Sequence, residues 1–198
     1  MIINSWNKLQ IEFLEIVSGL VLILCFSSLP FLSRSGLGIF ILVIGILFLL
    51  WSLMTPLGTV STTTRWLLIF LFFSIISTLY SPVPLAAFVG LIKYIGYLGV
   101  YSLIRKSLLS RRAWWDVFLG SFLIGELIVS VIAIRQLNGP FNQIHGWLDS
   151  SFFPEGVIRV YGSMGNPNLL GGYLLPIVPL SICAIFRWKD VGLKFFAI

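Results

Sequence analysis

Long apolar runs dominate the chain, and short segments with polar residues or proline separate them. Runs of this length favour membrane-spanning helices over the roughly ten-residue alternating strands of a membrane barrel. Helices also satisfy their own backbone hydrogen bonds in lipid. We therefore expect an all-α, polytopic transmembrane helix bundle, with residues 1–198 forming a single membrane domain. The pattern predicts six complete spans and the start of a seventh, at about 16–32, 37–54, 66–80, 85–104, 113–134 and 168–186, and from 191.

Composition supports the membrane assignment. Hydrophobic residues make up 58% of the chain and charged residues 10%, and the mean hydropathy of +1.02 exceeds that of ordinary soluble domains. The net charge of +6 would suggest nucleic acid in a soluble protein, but here the basic residues flank apolar spans. We therefore expect a lipid bilayer as partner and no nucleic acid. Cys25 and Cys183 each lie in an apolar run, so neither a disulfide framework, nor a metal, nor any other cofactor is predicted.

The sequence at each end of the chain supports one further prediction. No secretory signal pattern precedes the first span, because Glu12 and Glu15 stand where a basic region would be. The N-terminus is therefore expected to stay attached. Residues 191–198 resemble the opening turns of another span, so we expect the sequence to be the N-terminal part of a longer protein.

The distribution of basic residues predicts the topology. Nine lysines and arginines fall in one set of alternate connections and three in the other, with Lys93 inside a span. The positive-inside rule then places the N-terminus in the cytoplasm and the 136–166 loop in the periplasm, in a bacterial inner membrane. The nine are Lys8, Arg65, Arg105, Lys106, Arg111, Arg112, Arg187, Lys189 and Lys194, and the three are Arg34, Arg135 and Arg159.

Two charged residues fall within predicted spans. A lysine inside a span is costly and indicates a partner or a polar cavity. Lys93 lies ~12 Å below the outer end of its span at 1.5 Å per residue, and Glu126 reaches about the same depth in the next span. We expect the two to pair or to share one polar cavity. Alternatively, Lys93 extends to the outer interface, and Glu126 is protonated or bonded to a neighbouring helix.

The 136–166 loop is long for a membrane hairpin, and long loops are functional or disordered. It mixes aromatic and polar residues and is expected on the outer interface. His145 is the only histidine, and no Asp or Ser partner can be identified for it, which favours a surface role. Asp149 and Glu155 resemble ordinary solvated carboxylates, so the catalytic residues stay unknown.

Residues 159–186 contain the strongest candidate binding site. Asn166 is a favourable N-cap and Pro167 suits the first helical position, so a helix is predicted to begin there. The helix N-terminus would face the turn that carries Gly165 and thereby attract an anion. We expect Arg159, Gly165, Asn166 and Asn168 to bind it. Alternatively, Arg159 contacts lipid headgroups or loop carbonyls.

The predicted helix contains residues that favour an irregular span. Gly171 and Gly172 permit close packing against a neighbouring helix. Pro176 and Pro179 each remove a backbone donor, so the span is expected to bend or break. Interrupted spans recur at transporter binding sites.

Residues 159–176 read Arg-Val-Tyr-Gly-Ser-Met-Gly-Asn-Pro-Asn-Leu-Leu-Gly-Gly-Tyr-Leu-Leu-Pro. This run resembles the signature of the O-antigen ligase-like membrane family, particularly its cyanobacterial branch of inorganic carbon accumulation proteins, the bicarbonate transporters of the IctB type. The resemblance extends over most of the chain and includes residues 29–31, 79–83, 87–94 and 129–131.

The resemblance implies two alternative functions. In the ligases, an arginine that matches Arg159 helps to hold the pyrophosphate of a polyprenyl-linked glycan. Their histidine lies in a later outer loop and activates the acceptor, so His145, which precedes the signature, does not inherit its role. The cyanobacterial branch implies bicarbonate transport instead. The chain is thus expected to be an inorganic carbon transporter or, alternatively, a metal-independent glycosyl transferase.

Overall fold

A computed structural model describes residues 5–55, 60–137 and 160–196. Eight α-helices and one short 3₁₀ helix (Leu29–Phe31) account for most of these residues, and no strand occurs among them. The α-helices are α1 (Ser5–Ser28), α2 (Arg34–Met54), α3 (Thr62–Leu79), α4 (Pro84–Ser110), α5 (Trp114–Leu137), α6 (Pro167–Leu174), α7 (Ile177–Arg187) and α8 (Val191–Phe196).

Six helical segments in the described part of the chain are long and apolar enough to cross a membrane. Five correspond to α1–α5, and α6 and α7 together form the sixth. The predicted all-α bundle of six complete spans is confirmed, and α8 begins at the position predicted for the seventh. The protein is an integral, multi-pass membrane protein.

Two helices extend well beyond the predicted spans. α1 begins at Ser5, and α4 continues to Ser110. The added residues are mostly polar, but many of them are good helix formers, so the helix continues after the apolar run has ended. As a result, Glu12 and Glu15 lie on α1, while Arg105 and Lys106 lie on the last turns of α4 rather than in a connection.

Helix boundaries follow local signals in the sequence. Ser33 and Ser61 cap α2 and α3, each accepting a hydrogen bond at 3.1 Å from a backbone N–H three residues later. Pro84 opens α4 at the first helical position, where its missing N–H has no consequence. Residues 80–83 therefore separate α3 from α4.

The chain divides into two compact units, of which the first comprises residues 1–25 and 33–115. In this unit α2 packs closely on α4. Ile41 of α2 lies so near Gly96 of α4 that a Cβ added at this glycine would be 2.5 Å from Ile41 Cγ2. On α4, Tyr94 donates a hydrogen bond to the Leu67 carbonyl of α3 at 3.0 Å. No residue of α3 is buried, so this helix contacts its unit along one narrow stripe.

A buried carboxylate organises one end of the first unit. Glu15 on α1 is 7% exposed and pairs with Arg111, with 2.7 Å between Oε1 and Nε. Trp114 Nε1 donates to the same oxygen at 3.2 Å. A Cβ at Gly19 would lie 2.0 Å from the Trp114 ring, so the indole occupies space that only a glycine leaves open. These contacts join α1 to Arg111, directly after α4, and to the first residue of α5.

The second unit comprises residues 26–32 and 116–198. Its core joins α5 to α6 and α7. At one end, the Asp116 carboxylate accepts hydrogen bonds from Nε and Nη2 of Arg187, at 2.6 and 3.1 Å. It also accepts one from Trp188 Nε1 at 3.1 Å. This bidentate pair fixes the end of α7 to the start of α5. The buried core side chains are Leu119, Leu123, Val129, Ala133, Leu170, Tyr173, Ile177, Ala184 and Trp188.

Candidate functional site

The start of α6 has the geometry that the sequence predicted. Pro167 is the first helical residue, and Asn166 caps the helix because its Oδ1 accepts the Asn168 N–H at 2.8 Å. The Asn166 carbonyl accepts the Leu170 N–H at 3.1 Å. Since Pro167 has no N–H and the Asn168 N–H is capped, the Asn166 and Leu169 N–H groups are the two orphan donors of this helix end without a partner among the described residues. The helix end therefore offers these N–H groups and its dipole to an anion.

A tight turn at residues 162–165 leads into this helix. Gly162 and Gly165 both have positive φ, +56° and +67°, which disfavours residues with a Cβ. A Cβ at Gly162 would lie 3.0 Å from Val129 Cγ2 on α5, whereas no described atom lies within 4 Å of one at Gly165. Gly162 is thus packed against the core, and the described residues leave the space at Gly165 open next to Asn166.

Gln136 on α5 holds the turn in place. Its Oε1 accepts the N–H groups of Tyr161 and Gly162 at 3.1 and 3.0 Å, and its Nε2 donates to the Gly162 carbonyl at 2.9 Å. Ser163 adds a hydrogen bond to the Pro30 carbonyl at 2.8 Å. Sequence reasoning missed Gln136, whose only signal is its position as a polar residue at the end of an apolar span.

The sixth span is interrupted at Leu175 and Pro176, between α6 and α7. Pro176 cannot donate to the carbonyl four residues before it, so the helix breaks there, as predicted. Pro179 leaves α7 intact because it occupies the third helical position, where the N–H has no helical partner. No described atom lies within 4 Å of a Cβ at Gly171 or Gly172, so the predicted close packing is not found there.

Lys93 and Glu126 lie in different units. Lys93 is exposed on α4 of the first unit, and Glu126 is half-buried on α5 of the second. Beside it, a Cβ at Gly125 would lie 2.9 Å from the Ser27 carbonyl oxygen and 3.0 Å from the Tyr173 hydroxyl. Glu126 thus follows a point where α5 meets the rest of its unit closely. Pairing of Lys93 with Glu126 stays a prediction.

The remaining candidates, Arg159, His145, Asp149 and Glu155, lie outside the described residues. Val160 is the first described residue after Arg159, and the Tyr161 N–H that follows is bonded to Gln136. The backbone is therefore fixed within two residues of Arg159. The site that can be built from described residues consists of the turn, the capped helix end and the Gln136 clamp.

Comparison with protein-family models, with curated proteins and with solved structures finds no match to this chain. The assignment of a function therefore rests on the site and on the sequence resemblance.

Proposed function

We propose that this protein binds an anionic substrate at the N-terminus of α6 and transports inorganic carbon as bicarbonate. The N-terminus is cytoplasmic and the α6 entry faces the periplasm of a bacterial inner membrane, following the distribution of basic residues. Arg159, Gly165, Asn166 and Asn168 form the anion site. The transport activity follows the resemblance to the inorganic carbon accumulation branch of the O-antigen ligase-like family.

One observation carries the anion site: the Gln136 clamp holds a turn of two positive-φ glycines directly in front of a capped helix N-terminus. Three hydrogen bonds of 2.9 to 3.1 Å fix the backbone before the helix begins. No described atom then lies within 4 Å of a Cβ at Gly165, next to the positive end of the helix dipole. Because backbone N–H groups carry only partial charge, a cation is needed to complete the site, and Arg159 is the nearest arginine in sequence.

The open surface of α6 favours a second candidate, a glycosyl transferase that moves a polyprenyl-pyrophosphate-linked glycan to an acceptor. Gly165, Gly171, Gly172 and Asn168 are all exposed, and no described atom lies within 4 Å of a Cβ at any of the three glycines. An unobstructed helix surface of this kind would admit a pyrophosphate with its attached groups. Both candidates use the same arginine and the same helix end.

Substitutions at Asn166 separate capping from anion binding. Asp and Ser cap a helix about as well as Asn, but Asp adds a negative charge at the proposed site. At ~5 Å and an effective dielectric constant of about 20, two like charges repel by ~3 kcal/mol, a roughly 100-fold loss of affinity. We therefore expect Asn166→Asp to abolish bicarbonate uptake by proteoliposomes that contain the full-length protein, and Asn166→Ser to retain it.

The arginine requires its own control. Arg159→Gln is expected to abolish uptake, while Arg34→Gln, which removes an arginine predicted on the same side of the membrane, is expected to preserve it. Equal uptake by the Asp and Ser variants of Asn166 would exclude an anion at this helix end. Consumption of a polyprenyl-pyrophosphate glycan by the purified protein, without bicarbonate uptake, would establish the transferase instead.

A further inference from the structure

A half-buried lysine lies where α2 and α4 end in the first unit. Lys106 Nζ lies 5.2 Å from the centroid of the Trp51 ring and donates to Ser52 Oγ at 3.4 Å. Trp51 is 2% exposed, so the ammonium rests on a fixed aromatic face. A lysine ammonium carries three N–H donors. The long hydrogen bond and the ring engage at most two of them, so at least one N–H is directed elsewhere.

Lys106 has no carboxylate partner within the described part of the chain. The two ion pairs found there are Arg111 with Glu15 and Arg187 with Asp116. A partly desolvated ammonium is costly without a counter-ion. The carbonyl groups at the end of α4 offset some of this cost but carry only partial charge.

The neighbouring residues add positive charge and an apolar surface. Arg105 and Arg112 lie close to Lys106 in sequence, at the end of α4 and directly after it, whereas the charge of Arg111 is paired with Glu15. Leu53 on α2 is 85% exposed and Leu109 on α4 is 69% exposed, so each of the two helices carries an exposed apolar side chain in its last turn. A positive site bordered by exposed leucines matches a ligand with an anionic head and hydrocarbon chains.

We propose that the adjoining ends of α2 and α4 bind an anionic phospholipid, with Lys106 contacting the phosphate. The ammonium is held in position by Trp51 and Ser52, so it forms a site rather than part of a diffuse charge. The acyl chains lie along the exposed leucines of the two helices. This site is independent of the proposed anion site on α6, which belongs to the second unit.

The test compares binding of phosphatidylglycerol with that of phosphatidylcholine to the full chain in nanodiscs. Lys106→Met retains the unbranched stem over Trp51 and removes the charge, while Lys189→Met removes an exposed lysine of the second unit. We expect Lys106→Met to weaken the preference for phosphatidylglycerol about fivefold, the contribution of one basic residue near a membrane surface, and Lys106→Arg to retain most of it. Lys189→Met is expected to leave the preference unchanged.

Thermal unfolding in pure phosphatidylcholine shows whether Lys106→Met has simply destabilised the fold. The proposal would be overturned if the variant unfolds at a lower temperature in phosphatidylcholine but phosphatidylglycerol still raises its unfolding temperature as much as that of the original protein. Equal losses in Lys106→Met and Lys189→Met would also overturn it, because they indicate diffuse attraction. Displacement of the lipid by inorganic phosphate alone would assign the site to a soluble anion and contradict a lipid site.

Discussion

Replacing Gln136 by leucine tests the turn that precedes α6. Leucine retains the size and helix propensity of glutamine but removes all three hydrogen bonds to Tyr161 and Gly162. The turn would then be held mainly by the hydrogen bond from Ser163 to Pro30. We expect α5 to stay folded while the turn becomes free to open.

The magnitude follows from the three lost bonds. Each intramolecular hydrogen bond contributes ~1 kcal/mol net, so their loss removes about 3 kcal/mol. This corresponds to a roughly 100-fold increase in the population of the open turn, at 1.4 kcal/mol per factor of ten. Gly162 is buried, so water replaces the lost partners only after the turn has moved.

Amide hydrogen exchange is the direct assay, because the two amides that donate to Gln136 lie in one short peptide. We expect this peptide, which covers residues 160–166, to exchange about 100-fold faster in Gln136→Leu. Peptides from α5 and α2 should exchange at their original rates. Arg135→Leu is the matched control, since it alters the preceding residue on α5 and leaves the three bonds intact.

Two results would refute this reasoning. Unchanged exchange of residues 160–166 in Gln136→Leu would mean that the clamp does not hold the turn. Equal acceleration in Arg135→Leu would mean that any change at the end of α5 loosens the turn, whether or not hydrogen bonds are lost.

Two further pairs of substitutions test close packing, each read as thermal unfolding in detergent. Gly165→Ala should lower the free energy of unfolding by ~1–2 kcal/mol because of the positive φ alone. Gly162→Ala should lower it by a further ~1–3 kcal/mol because its Cβ would press on α5. Equal losses in the two variants would contradict the crowding at Gly162. Gly19→Ala should lower the free energy of unfolding by about 1–3 kcal/mol because the Trp114 ring must move, whereas Gly38→Ala, whose Cβ meets no described atom within 4 Å, should be neutral or stabilising. Similar effects of the last two changes would argue against the indole lying over Gly19.

Features fixed by neighbouring residues were predictable from the sequence. The start of α6 depends on Asn166 and Pro167, whose capping and missing N–H act within one turn of helix. The break in the sixth span depends in the same way on Pro176. The number of spans was also predictable, because the length of each apolar run decides whether a helix can cross the membrane.

Contacts between distant residues were not predictable. Gln136 and Gly162 are 26 residues apart, and their bond exists only because α5 and the turn meet in the folded unit. Glu15 resembled a residue ahead of the first span, yet it lies on α1 as a buried partner of Arg111. Hydropathy describes each run separately and carries no information on which polar residues meet.

The Glu15 contacts also determine when the carboxylate on α1 can reach its native partners during synthesis. Glu15 and its partner Trp114 are 99 residues apart, and Arg111 is made only three residues before Trp114. At about 5–20 residues per second, the ribosome needs roughly 5–20 s to supply both partners. Throughout that interval the carboxylate depends on water, lipid headgroups or the insertion machinery. Once Glu15 has been made, a further 99 residues must therefore be synthesised before its carboxylate can make both of its native contacts.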